Sequence, residues 1–101
     1  MLFVERNFTI HIIAAFTAIA FCLFLNVSDI EFVIVLICIA MVIAFEIINS
    51  AIEKLCDIVE PNRSEKIKII KDMSAAAVLI VAIASFVIGI IIFFPKLVAR
   101  F

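Results

Sequence analysis

Glu46, Asn49, Ser50, Glu53 and Asp57 recur at intervals of one to four residues at the end of a long apolar run. At about 100° per residue, an α-helix gathers all five onto one face. Two glutamates and an amide on such a face suit phosphoryl transfer from a magnesium nucleotide. Magnesium takes oxygen ligands and is commonly held by one or two carboxylates together with the phosphates of the substrate. A further carboxylate, set back from water, can accept the proton of an attacking hydroxyl. Glu46 is the deepest of the set and fits the base. Glu53 lies about 10 Å farther along the helix axis, by helical rise, and fits the metal near water. Polar groups in this position are costly, since a charge at the centre of a bilayer costs about 2.5 to 3.5 kcal/mol on insertion scales, and an ionisable residue there is a functional candidate by default.

The elements that must carry these side chains are membrane-like. The chain has 101 residues, 68% of them hydrophobic, and a mean hydropathy of +1.43, far above the roughly 45–50% apolar content of a soluble domain. Its length allows one domain, residues 1–101. Three apolar runs, about 10–25, 32–52 and 73–94, are separated by charges. Each is read as a spanning helix, because about 20 apolar residues cross a bilayer and an open strand in lipid leaves its backbone groups unpaired. The expected fold is all-α, an integral membrane protein with three transmembrane helices. A secretory signal in the first run is the weaker reading, because Glu5 adjoins Arg6 and no small-residue cleavage site follows.

The connections set the orientation. Residues 26–31 form a tight turn without Lys or Arg, with Asp29 placed to cap the second helix and Glu31 near its positive dipole. The longer connection, 54–72, carries Lys54, Arg63, Lys66, Lys68 and Lys71, against Lys96 and Arg100 at the far end of the third run. The positive-inside rule makes this connection and the N-terminus cytoplasmic and the C-terminus external. Ser64 followed by Glu65 marks a new helix start, the alternation through Lys71 reads as an interfacial turn or two, and Pro95 is expected to stop the third helix.

Composition also excludes. A net charge of -1 with interleaved acids and bases gives no nucleic-acid surface. One glycine, Gly89, rules out a Gly-rich phosphate loop, so side chains must hold any phosphates. Cys22, Cys38 and Cys56 match neither a disulfide framework nor a metal spacing and read as packing residues. His11, the lone imidazole, reads as interfacial or hydrogen-bonded before catalytic, and the phenylalanines as packing or lipid-facing groups. Alone, Asp57, Lys54 and Glu60 read as solvated charges, and Asn49 as interhelical glue.

With the first and third helices starting where the second ends, Glu5-Arg6-Asn7, the stripe from Glu46 to Asp57, Lys71-Asp72 and Ser74 converge on one membrane face. Lys71 can neutralise phosphate as a compact ammonium. Three classes stay open on these residues: an enzyme acting on a membrane-soluble alcohol, a proton- or cation-coupled protein with Glu46 as the ion site, and a structural subunit. The recurrence of carboxylates beside Lys71-Asp72 tilts the reading to the enzyme, since a proton relay does not require it.

Glu46 to Asp57 resembles the E-x-x-N-[ST]-A-I-E-x-x-x-D signature of the prokaryotic diacylglycerol kinase family, which includes undecaprenol kinases. Lys71 to Leu79 is similar to its K-D-x-x-[AS]-[AG]-A-V-L segment, and Glu5-Arg6-Asn7-Phe8 with Ile10-His11 to the E-R-N-F-R-I-H opening of many members. The resemblance covers nearly the whole chain. It implies a homotrimeric three-span kinase of the bacterial inner membrane, with active sites shared between subunits. Such an enzyme moves the γ-phosphate of ATP to a lipid alcohol, diacylglycerol first and undecaprenol as the alternative. It further implies Glu46 as base, Glu5 and Glu53 on Mg2+, and Asn49, Lys71 and Asp72 positioning or neutralising the phosphates. The expected departures are a surface helix not seen ahead of Glu5, through either a start placed late or an absent piece, the second implying weakened nucleotide binding or lost activity, Thr9 in place of Arg, Ser74 in place of Gly or Ala, and no histidine after Pro61. Acceptor choice falls to the groove between helices, where Met41, Phe45 and Ile48 are candidates.

Overall fold

A four-residue turn with a hydrogen-bonded cap on each side fixes the first half of the molecule. Asn26 takes a left-handed backbone conformation, φ 53°, which asparagine tolerates better than most side chains. It lets the Val27 N–H reach back to the Cys22 carbonyl at 3.3 Å, closing the end of a helix in a Schellman arrangement. Ser28 then opens the next helix. Its hydroxyl accepts from the Glu31 N–H at 3.2 Å, while its own N–H donates to Glu31 Oε1 at 2.9 Å, a reciprocal capping box. Val27 and Phe32, which flank this cap, both pack on the small cluster of Cys22, Val35 and Ile92.

In the computed structural model, which describes residues 6–62 and 64–101, three helices follow in order: α1 (Arg6–Phe24), α2 (Asp29–Val59) and α3 (Glu65–Arg100). They cover the three apolar runs. The helix cap falls to Ser28 rather than Asp29, which is the first helical residue. The serine hydroxyl reaches the third N–H of the helix, and Glu31 completes the exchange. At the other end α2 continues past residue 52 to Val59, because no Gly or Pro interrupts Glu53 to Val59 before Pro61.

The helices run antiparallel to their chain neighbours. The start of α3 faces the end of α2 through Lys71 and Asp57, and the end of α3 faces the start of α2 through Lys96 and Glu31. Along α3, the less exposed positions 74, 77, 78, 81, 82, 85, 88, 89 and 92 form one stripe. Ser, Ala and Gly recur in it, and small residues let helix backbones approach closely. Docking of α2 on α3 is the main interhelical contact, and α1 is held more lightly against α2.

Contrary to the expectation for Pro95, α3 passes through it and ends at Arg100. Proline cannot donate to the Ile91 carbonyl and weakens one turn. The residues beyond it are tied down by Lys96 Nζ, 3.1 Å from Glu31 Oε1, and by the Arg100 guanidinium, 4.3 Å above the Phe24 ring. Ser64 precedes α3 as expected, without a side-chain cap, and the turns through Lys71 are continuous with the rest of the helix.

Two helices, α2 and α3, are long and apolar enough to cross a membrane, and Phe8–Phe24 is a shorter apolar helix. Very few residues in these apolar stretches are buried, and Ile37, Leu79, Ile80, Phe86 and Ile91 stand open on the surface. A core helix of a water-soluble protein hides such side chains. Contiguous apolar surface on this scale belongs against lipid or another protein.

Candidate functional site

The polar face of α2 meets α1 first and α3 afterwards. Glu46 is 6% exposed, with Asn49 and Ser50 also buried. Its Oε1 lies 3.2 Å from His11 Nε2, brought in by α1. One turn on, Asn49 bridges two elements: its Oδ1 accepts from the Ser74 hydroxyl of α3, and its Nδ2 donates to Glu53 Oε2 at 3.4 Å. The amide is thereby fixed in one orientation. Glu53 itself is exposed, with its carboxylate turned to Asn49 on one side.

Farther along, the chemistry passes to the α2–α3 connection. Lys71 Nζ donates to Asp57 Oδ1 at 2.7 Å, across the two helices, and Lys68 Nζ donates to Asp72 Oδ2 at 2.9 Å within α3. Asp57 hydrogen-bonded to Lys71 holds the ammonium above its ordinary value of 10.5, outweighing partial desolvation, so the lysine stays charged at neutral pH. Lys71 and Asp72 line an open basin of about 500 Å³ with Asp57, Glu60, Ser64 and Lys68, within the size range of ligand sites. A second, apolar hollow of about 290 Å³ runs between the helices, with His11, Ala14 and Ala18 on one wall and Ala82, Phe86 and Gly89 on the other.

The expected residues therefore fall into two groups. Glu46 with His11, and Asn49 with Ser74 and Glu53, lie on one face of α2, whereas Lys71 and Asp72 belong to the basin, Lys71 joined to α2 through Asp57 and Asp72 paired with Lys68 within α3. Glu5 lies outside the described residues. Lys71 and Asp72, adjacent in sequence, do not pair with each other. Among the described residues no three His, Cys, Asp or Glu side chains cluster as a metal site. Glu53 offers a hard cation one carboxylate donor.

Sequence reasoning read His11 as interfacial or hydrogen-bonded, and it is paired. The partners it did not name are Lys68 for Asp72 and Asp57 for Lys71. The first is an i,i+4 pair visible in the sequence. The second needs the register of α2 on α3. Cys22 and Cys56 are buried, Cys38 is half-buried, and all three cysteines are free.

A helical protein with two membrane-length apolar helices and carboxylates, amide and lysine gathered toward one end defines a small membrane-associated class. The chain belongs to the prokaryotic diacylglycerol kinase family, whose model matches residues 1–93, and with it to the lipid kinases. It is 39% identical over 94 residues to an undecaprenol kinase of Bacillus subtilis (strain 168), a match covering 92% of this chain and 76% of that protein. It is 31% identical over 96 residues to a diacylglycerol kinase of Synechocystis sp., covering 94% of this chain and 55% of the relative. No solved structure matches it significantly.

Proposed function

We propose that this chain phosphorylates a membrane lipid alcohol with ATP, with Glu46 as general base. The observation that carries the reading is the burial of the Glu46 carboxylate, one turn from Asn49 and two from Glu53, on a helix face that both other helices approach. The acceptor hydroxyl gives its proton to Glu46, its oxygen forms a bond to the γ-phosphorus, and the bond from that phosphorus to the β,γ-bridging oxygen breaks to release ADP. Asn49, Lys71 and Asp72 hold the nucleotide, Lys71 by its charge. Glu53 and Glu5 hold Mg2+, which supplies charge neutralisation of the phosphates when bound.

Of the two acceptors, we place undecaprenol ahead of diacylglycerol. The higher identity to an undecaprenol kinase supports that order. The reading includes a bacterial inner-membrane location with α1, α2 and α3 all spanning. The N-terminus and the α2–α3 connection face the cytoplasm, supported by Lys54, Lys66, Lys68 and Lys71 there. It also includes a homotrimer with shared sites, supported by the open apolar faces of α2 and α3. Purified protein in mixed micelles, given γ-labelled ATP, Mg2+ and either lipid, should label undecaprenol more than diacylglycerol. The reverse order returns the acceptor to diacylglycerol, and no label in either lipid refutes the kinase reading.

A further inference from the structure

We propose that His11 is the positioning residue of the base. The inference rests on the kinase reading above and assigns a role to a side chain outside its catalytic and binding set. His11 Nε2 and Glu46 Oε1 are 3.2 Å apart, at hydrogen-bonding distance. The contact joins α1 to α2 where α2 is most deeply polar, and both side chains are largely withdrawn from solvent, 22% and 8% exposed. A buried carboxylate without a fixed partner samples several rotamers. One held by a donor keeps a single geometry, as in catalytic sites where the base is oriented by a third group.

The atoms divide the work. His11 Nε2 sits beside Oε1, and a small turn of the ring brings an Nε2–H onto that oxygen, which leaves Oε2 to receive the proton of the acceptor hydroxyl. His11 also forms part of the apolar hollow lined by Ala14, Ala18 and Phe86. The same ring therefore touches the base on one side and borders apolar space on the other. This accounts for a lone histidine in a helix otherwise built of apolar residues through this region. His11 passes no proton to substrate in this scheme; its effect is transmitted through Glu46.

Steady-state kinetics on His11→Ala and His11→Gln, beside Glu46→Gln, test the assignment. His11→Ala should lower kcat about 10- to 100-fold, the range for losing a hydrogen bond to a charged group, with KM for ATP and lipid within about twofold of wild type. His11→Gln, whose amide can still donate, should recover most of the loss. In a Glu46→Gln background, His11→Ala should cost nothing more, because two groups acting as one unit are not additive. A structural role would lower both backgrounds alike and would not be rescued by Gln.

His11 is the only histidine, so ring-¹⁵N labelling yields one imidazole, and Glu46→Gln should shift its Nε2 resonance. That measurement needs neither activity nor a folded His11 variant. An unchanged resonance, or wild-type kcat in His11→Ala while Glu46→Gln is dead, overturns the proposal and leaves the base in place. Full activity in Glu46→Gln overturns the base assignment and this inference together.

Discussion

The two ends of the α2–α3 pair use charge in opposite ways. At the tight turn between α1 and α2, Ser28, Glu31 and Lys96 close on one another, and Arg100 rests on Phe24. At the other end, Asp57 pairs with Lys71 between the helices and Lys68 with Asp72 along α3, all four lining an open basin, and Glu53 stands exposed. The first arrangement consumes its donors and acceptors internally. The second leaves charged atoms facing space large enough for a ligand. Polarity that finishes a helix is distinguished from polarity that waits for a substrate by what its hydrogen bonds leave over, and residue type alone does not separate them.

Substitutions at the two ends should break this contrast unequally. Glu46→Gln should have the largest effect, lowering kcat about 10²- to 10⁴-fold, the usual contribution of a general base, with the fold intact by circular dichroism. Lys71→Met should weaken nucleotide use by about 10- to 100-fold in kcat/KM for ATP, and a loss confined to the lipid KM would contradict its assignment. Asp57→Asn frees Lys71 without removing it and should change kcat/KM by no more than about fivefold, the scale of an exposed ion pair. At the opposite end, Ser28→Ala should cost about 1 kcal/mol of stability and leave kcat unchanged, as read by thermal unfolding beside a turnover assay.

The smallest expected effect is on pH. The backbone N–H of Ser28, followed by Lys96, holds the Glu31 carboxyl below its ordinary value of 4.5. Its contribution is therefore present above pH 4.5 and lost as pH falls through the lower folded value. Lys71 has the opposite sign. Its raised value keeps the Asp57 pair in place until pH climbs beyond 10.5. Melting temperatures of wild type and Glu31→Gln should converge in acid and separate at neutral pH.

Much of this was legible in the sequence because it is periodic. The stripe from Glu46 to Asp57 needs only helical geometry, and the three apolar runs need only length. What the sequence concealed depends on contacts between helices. The register that puts Asp57 on Lys71 and Ser74 on Asn49 is set by the small-residue stripe of α3. The His11 contact depends on how α1 leans on α2. Pro95 misleads for a related reason, since a local rule predicts a stop and two distant contacts carry the helix on. Asp29 misleads more simply, its neighbour Ser28 being better placed to cap.

The self-contained turn at Leu25–Ser28 bears on how the molecule is made. The closing bond of α1 and the capping box of α2 both lie in or next to the turn, so α1 and α2 can form a hairpin without a contact from α3. During synthesis such a hairpin can form as one unit, before α3 has left the ribosome.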